Sequence, residues 1–257
     1  MIKTTNLSHF TSIGIGPIVD IFMIQKDEIY PKKHTILGHG SNILVSNNAN
    51  DLMMLSKDFD YIRIENNTLI IGAATVSGKI VSFCKKHNIA NFEFLLKLPG
   101  NLGGMVKMNA GLKEFEIFNH LVAIKTTQGY IKKANISHSY RHTLIQDVIF
   151  EGHFSIETGF DNNKVEMFQK MRDNQPTGKS AGSCFINPPN NFAAKLIQDV
   201  GLKGFFIGDM GFSSKHANFL INKGNGTYDD AIEVITLAQK KVLEQFDIQL
   251  ELEIVLI

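Results

Sequence analysis

The sequence is short of charge bias, of cysteine and of long apolar runs, and each shortage removes a class of function. Its 26 basic and 25 acidic residues leave a formal net charge of +1, so no strong field marks a nucleic-acid or membrane-surface partner. Two cysteines occur, Cys84 and Cys184, far apart and outside any C-x-x-C pair. They are expected as small buried hydrophobes, with no disulfide and no metal. No stretch approaches the roughly 20 consecutive apolar residues of a membrane span. Residues 1–16 carry no charged-then-apolar leader pattern. The expectation is a cytoplasmic protein in a reducing compartment, without membrane or nucleic-acid partners. What is present is bulk: 257 residues at 44% hydrophobic composition can bury a sizeable core.

The first half reads as strand-rich. Short apolar runs at 19–24, 35–37, 43–45 and 52–55 are separated by turn residues. Residues 61–65 and 68–72 flank Asn66-Asn67, which suits a two-residue hairpin turn needing positive φ. Residues 121–126 and 130–133 flank Gln128-Gly129, a second hairpin candidate, and 148–156 is a further strand. Ile80, Val81, Phe83 and Cys84 fall at helical spacing and predict a helix over 76–87. The second half is richer in helices: 164–174, stopped by Pro176; 192–200, closed by Gly201; and 228–246, with an apolar face of Ile232, Ile235, Leu237, Ala238, Val242 and Leu243. Alternation over 248–257 predicts a closing strand. The mixture argues α+β. A polar turn near Phe160–Asn163 suggests the main boundary.

Two nucleotide motifs are only approximated. Gly14-Ile15-Gly16 and Gly38-His39-Gly40 begin like a dinucleotide fingerprint, but the third glycine and the following helix pattern are missing. Gly178-Lys179-Ser180 resembles the tail of a P-loop, but Asp173 stands where the upstream glycine is needed. Four other segments can carry chemistry. Gly38, His39, Gly40, Ser41 and Asn42 can turn main-chain N–H groups inward as a nest for phosphate oxygens, or form an ordinary strand connection. Pro99, Gly100, Gly103 and Gly104 make a second glycine-rich loop, with Asn109 and Gly111 just beyond. A helix opening at Gly104 would aim N–H groups at an anion; the alternative is a tight structural turn. Ser183 lies in a small-residue turn with no triad partners nearby. Lys215-His216-Ala217-Asn218 precedes a strand at 219–222, and Glu251 and Glu253 share one face of the closing strand.

Taken in order, these segments resemble the UDP-N-acetylenolpyruvoylglucosamine reductase family. The family pattern falls at Thr11–Gly16, Gly38–Asn42, Pro99–Gly111, Tyr140-Arg141, Gln175–Pro188, Gly201–Gly204, Lys215–Phe219 and Leu250–Glu253. No tyrosine occurs between His142 and Gly182, so the chain resembles the shorter subclass that lacks a tyrosine-bearing loop over the substrate. Pro17, Ile186 and the absence of an arginine and a glycine after Glu253 depart from the pattern.

The resemblance implies a PCMH-type flavin fold. Residues 1–54 and 55–160 would form two small α+β FAD-binding subdomains, and 161–257 a C-terminal α+β substrate domain ending in the glutamate strand. It implies noncovalent FAD, NADPH as reductant and a UDP-sugar substrate. The two glycine-rich loops, Asn109 and Gly111 would bind FAD. Tyr140, Asn187, Lys215, His216 and Asn218 would shape the substrate site. Ser183 would be the proton donor, with Arg141 and Glu253 stabilising the charged intermediate. A flavin oxidase of sugars or alcohols and a non-catalytic flavin- or nucleotide-binding module are the alternatives.

Overall fold

Asn66 and Asn67 take φ of +48° and +58°, the left-handed pair that a tight hairpin requires. They join the strands Ile62–Glu65 and Thr68–Gly72. These belong to an antiparallel sheet whose strand order is Gly129–Lys132, Leu121–Thr126, Ile149–Ser155, Thr68–Gly72, Ile62–Glu65. The second hairpin closes one residue earlier than expected: Thr126 pairs with Gly129, and Thr127-Gln128 make the turn. The computed structural model describes residues 1–30 and 34–257.

Two compact units emerge. One comprises residues 1–3, 21–39 and 51–173; the other comprises 4–20, 40–50 and 174–257. The continuous division expected from the sequence does not coincide with them. Residues 161–173 lie in the first unit because Phe168 of the helix Asn162–Met171 is 1% exposed and meets Phe94 and Phe115 edge-on. Residues 4–20 and 40–50 lie in the second because Ile13, Ile15 and Leu44 enter the same core as Phe185, Leu196, Phe212 and Val234. Each large apolar side chain buried this way contributes about 1.5–3 kcal/mol.

In the first unit, the inner face of the five-stranded sheet supplies Leu69, Ile71, Ile124 and Phe154. They pack with Ile80 and Cys84 of the helix Ser77–Lys86 and with Leu102 and Val106 of the helix Leu102–Lys107. A smaller sheet holds the parallel strands Ile18–Ile24, Leu52–Leu55 and Thr35–Leu37. In the second unit, the strands Ser180–Ser183, Phe219–Asn222, Met210–Phe212 and Phe206–Ile207 form an antiparallel sheet. The helices Ala193–Asp199 and Tyr228–Phe246 accompany it. The longer helix starts on a capping box: Thr227 Oγ1 accepts from Asp230 N at 3.1 Å, and Asp230 Oδ2 accepts from Thr227 N at 3.0 Å.

The closing strand expected over 248–257 is broken. Leu252 makes an isolated antiparallel bridge to Phe185, and residues 253–254 bend. Val255–Leu256 then pairs in parallel with Ile43–Leu44. The chain changes partner at the bend because Glu253 N donates to Cys184 O at 2.9 Å, whereas Val255 N donates to Asn42 O at 3.0 Å. Alternation cannot reveal a change of partner. Glu251 is consequently exposed and Glu253 half-buried.

The outer face of the larger sheet carries a buried carboxylate. Glu151 is 2% exposed and accepts from Tyr61 Oη, from His153 Nε2 at 2.9 Å and from Arg63 at 3.3 Å. Burial alone would raise its pKa, but the hydrogen bonds from His153 and Tyr61 and the charge of Arg63 outweigh burial and hold it at about 2. A depressed carboxyl stabilises the fold above its unfolded pKa and loses that contribution as pH falls toward the folded value. Between pH 4.5 and 2, roughly 3 kcal/mol of stability should disappear. Urea midpoints measured across this window should fall more steeply for the wild type than for Glu151→Gln. Parallel curves would place the acid sensitivity elsewhere.

Candidate active site

The T-x-x-x-I-G segment folds on itself: Thr11 Oγ1 donates to Ile15 O at 2.8 Å and accepts from Ile15 N at 3.1 Å. That loop presents Ser12, whose N donates to Gly40 O at 3.0 Å and whose O accepts from Ser180 N at 3.0 Å. Gly40 adopts φ +71°, and a Cβ there would lie 2.9 Å from the Phe10 ring and 3.0 Å from Phe10 O. Glycine is required at this position for both reasons. The positive φ is the turn geometry in which successive N–H groups converge.

Ser183 ends the strand Ser180–Ser183, where a register irregularity against Phe219–Asn222 accompanies Gly182 at φ +81°. The serine is half-buried, and among the described residues no protein hydrogen bond claims its hydroxyl. The adjacent Cys184 is where the C-terminal segment arrives, through Glu253 N at 2.9 Å. Asn42 clamps the same segment, its Nδ2 donating to Glu253 O at 2.9 Å. The second unit therefore brings Ser183 and Glu253, separated by 70 residues in sequence, onto neighbouring backbone positions, and it fastens the glutamate with the asparagine of G-x-G-S-N.

Cys184 itself is inert. Complete burial, with the charge of Glu253 as a further cause, pushes its thiol well above the ordinary value. Burial likewise pushes Cys84 up to about 12, with Glu93 adding to it. Both cysteines are free and buried, as expected from the sequence.

The other residues singled out in this unit are used locally as well. Asn218 is 4% exposed; its Oδ1 accepts from Phe185 N at 3.0 Å and its Nδ2 donates to Phe185 O at 2.8 Å. It works as a backbone mimic that holds the strand after Ser183. Asn187 Oδ1 accepts from Ala193 N at 3.0 Å at the start of a helix. Lys215 is exposed. His216 is half-buried, and its Nδ1 lacks a partner among the described residues. Desolvation lowers the His216 pKa, with the charge of Lys203 a smaller contribution in the same direction, so the ring is neutral at pH 7.

In the first unit, the second glycine-rich loop differs from expectation. The helix opens at Leu102 with Asn101 as its cap, not at Gly104, and its first donors are taken. Leu102 N donates to Thr75 O at 2.9 Å and Gly103 N to Ala73 O at 2.9 Å. Gly104 N donates to Asn101 Oδ1 at 3.1 Å. The N–H groups of Leu102, Gly103 and Gly104 are thus all taken by protein acceptors. Close approach is what the glycines provide: a Cβ on Gly103 would come within 3.2 Å of Ala73 Cβ, and one on Gly38 within 3.1 Å of Asn101 Oδ1. Gly38, Ala73, Asn101, Gly103 and Gly104 line a narrow cleft walled by Leu55 and Ile149. Pro99 is exposed, and Gly100 is buried with φ +133°.

Tyr140-Arg141 is the turn of a small hairpin in which Ser139 pairs with His142. Arg141 has φ +58°, an uncommon conformation for a residue with a side chain. Its guanidinium lies 5.0 Å from the Tyr140 ring centroid and donates to Gly111 O at 2.9 Å and to Asn109 O at 3.5 Å. Asn109 is fully buried, its Nδ2 donating to Glu116 Oε2 at 2.8 Å and to Ser139 O at 3.0 Å. A Cβ on Gly111 would lie 2.2 Å from Phe115 O. The N-A-G segment thus braces Arg141 through its carbonyls.

Sequence reading missed Arg172. It is 9% exposed, and its Nε has no partner among the described residues. Burial first, then the charge of Arg141, lowers its pKa to about 10, so it stays protonated at pH 7. Nothing in the local sequence distinguishes it from a surface arginine.

The family model described as UDP-N-acetylenolpyruvoylglucosamine reductase, C-terminal domain, matches residues 173–257. The UDP-N-acetylenolpyruvoylglucosamine reductase of Helicobacter hepaticus is 44% identical over 253 residues, covering 97% of this chain and 96% of that protein. The protein of the same name from Campylobacter jejuni (strain RM1221) is 43% identical over 257 residues, covering 98% and 99%. The crystal structure of UDP-N-acetylenolpyruvylglucosamine reductase from Thermus caldophilus superposes with a TM-score of 0.86 at 25% identity, covering 100% of this chain and 98% of that one. The α+β architecture is that of this enzyme class, and the chain belongs to the UDP-N-acetylenolpyruvoylglucosamine reductase family.

Proposed function

We propose that this protein is a cytoplasmic, NADPH-dependent FAD enzyme. It reduces UDP-N-acetylglucosamine enolpyruvate to UDP-N-acetylmuramate in peptidoglycan precursor synthesis. The observation that carries the reading is the pairing of an uncommitted serine hydroxyl with a fastened glutamate, Ser183 beside the Glu253 segment.

The residues present suit a flavin nucleotide. Among the described residues outside its own helix backbone and chain neighbours, a Cβ on Gly104 would meet Asn101 Oδ1 alone within 4 Å, at 3.3 Å, so a flat ligand can lie against the backbone. The apolar walls Leu55 and Ile149 suit an aromatic ring. Gly38, Gly103 and Gly104 would flank the nucleotide, with Pro99 and Gly100 shaping their loop. His39, Gly40, Ser41 and Asn42 would hold the pyrophosphate through main-chain donors. Asn109 and Gly111 would act through Arg141. Tyr140, Asn187, Lys215, His216 and Asn218 would shape the UDP-sugar site.

When bound, the flavin supplies the hydride that NADPH has delivered. Addition at the terminal carbon of the enol ether drives charge toward the substrate's carboxylate. Arg141 binds that carboxylate with its planar fork and stabilises the developing enolate. Ser183 then gives its hydroxyl proton to the enolate carbon; so weak an acid needs a carbanionic acceptor, which this intermediate is. Glu253 works with Arg141 to stabilise the doubly charged intermediate, its own carboxyl being protonated or bridged by that cation, since an uncompensated carboxylate there would repel it.

The test is spectroscopic. Purified protein should be yellow, should release its flavin to the supernatant on acid precipitation, and should bleach with NADPH and recover on adding the enolpyruvyl substrate. Colourless protein that acquires no flavin absorbance on incubation with FAD would sink the reading. Rapid reoxidation by oxygen with a simple alcohol as reductant would favour a flavin oxidase instead.

A further inference from the structure

The cleft of the first unit carries one ionisable side chain among its described lining residues, Lys107. Lys107 ends the helix Leu102–Lys107, whose glycines form the cleft floor. The residue as a whole is exposed, and its ammonium donates to Ile145 O. Thr143 Oγ1 donates to Lys107 O at 2.7 Å, anchoring the same residue from its backbone. Partial burial lowers the ammonium's pKa. An ammonium has three donors, and among the described residues no carboxylate pairs with this one. The rest of the wall is Ile36, Leu37, Leu55, Ala73, Ile149, glycine backbone and Asn101. A fixed cation without a counter-charge, at the edge of an apolar slot, lacks an acceptor that the slot's occupant can supply.

We propose that Lys107 is a direct ligand of the bound flavin nucleotide, donating from its ammonium to an oxygen or ring acceptor of the cofactor. The inference rests on the FAD reading above and assigns this chain's own cation to the cofactor cleft. The contact is charge-assisted, so it strengthens cofactor binding more than a neutral hydrogen bond does. Its two possible acceptors differ in consequence. A phosphate oxygen makes binding depend on salt. A ring acceptor makes the bound flavin's absorption and midpoint potential depend on Lys107, because a cation there favours the electron-rich reduced ring.

The experiment strips the protein of flavin and titrates FAD back into wild type, Lys107→Met and Lys107→Arg by fluorescence quenching at two salt concentrations. Bound spectra and midpoint potentials are recorded alongside. Lys107→Met should weaken FAD about tenfold to a hundredfold, and Lys107→Arg should recover part of that loss by keeping the charge. Loss of the salt dependence in Lys107→Met identifies a phosphate acceptor. A shifted spectrum with a lowered potential identifies a ring acceptor. FAD affinity, spectrum and potential all matching wild type would overturn the proposal, as would a lower thermal midpoint of the stripped protein with unchanged FAD affinity, which would make Lys107 a tie to Ile145 only. Should Lys107→Met not fold, Lys107→Gln, which can still donate to Ile145 O, carries the same test. Wild type that binds no FAD at all would instead defeat the functional reading, so the two failures are distinct.

Discussion

Ser183→Ala should leave reduction of the flavin by NADPH at its wild-type rate and slow reoxidation by the enolpyruvyl substrate about 10²–10⁴-fold. The first half-reaction needs no acid for the product, whereas the second strands an enolate without its proton. The fold should tolerate the change. No described protein group accepts from or donates to the Ser183 hydroxyl, so alanine leaves no buried partner unsatisfied. The strand geometry there is set by Gly182 at φ +81° and by Cys184 N donating to Asn218 O at 2.6 Å, both untouched. Single-turnover stopped flow on each half-reaction checks it. Equal slowing of both halves would indicate a cofactor or folding defect. Unchanged reoxidation would leave Ser183 as a turn residue and return the proton to another donor.

Arg141→Lys should raise the barrier by roughly 2–4 kcal/mol, a loss of about 30- to 1000-fold in kcat/KM, with little change in thermal midpoint. Both residues tolerate φ +58° equally poorly, so the backbone strain is common to the two proteins. The head group differs. The guanidinium reaches Gly111 O at 2.9 Å and Asn109 O at 3.5 Å from two different nitrogens, which fixes its plane. An ammonium has three rotatable donors but no fixed plane, so it cannot present the paired coplanar N–H groups of the guanidinium. Near-normal turnover of Arg141→Lys would remove Arg141 from the reaction. A large fall in thermal midpoint with proportionate activity loss would make it a strut for the N-A-G segment instead.

Much of the local architecture follows from local chemistry. The Asn66-Asn67 hairpin, the strands Leu52–Leu55, Thr68–Gly72, Leu121–Thr126 and Phe219–Asn222, and the helix Tyr228–Phe246 lie where periodicity and turn residues put them. Each is decided by neighbours within one or two turns of chain, such as paired left-handed asparagines or an amphipathic stripe with a capping box. The family pattern was legible for a related reason. Glycines at forced positions, such as Gly40 against Phe10 and Gly111 against Phe115 O, leave a fixed spacing in the sequence.

Long-range pairing was not legible. A strand pattern over 248–257 states that alternate residues face alternate ways, but not that the chain exchanges Phe185 for Ile43 and Leu44 halfway, which is what separates Glu253 from Glu251. The glycine loop at 100–104 suggests open donors until Thr75 O and Ala73 O, residues remote in local pattern, are seen to occupy them. Arg172 and Lys107 look like surface cations in a row of letters; only packing buries one and sets the other in the lining of a cleft. The sequence by itself determined the elements, the family and the identities of the chemical groups, because those depend on near neighbours and on residue type. Tertiary structure alone decided which donors remain open and which charges lack a partner, because hydrogen-bond satisfaction and desolvation are set by whatever the fold brings alongside.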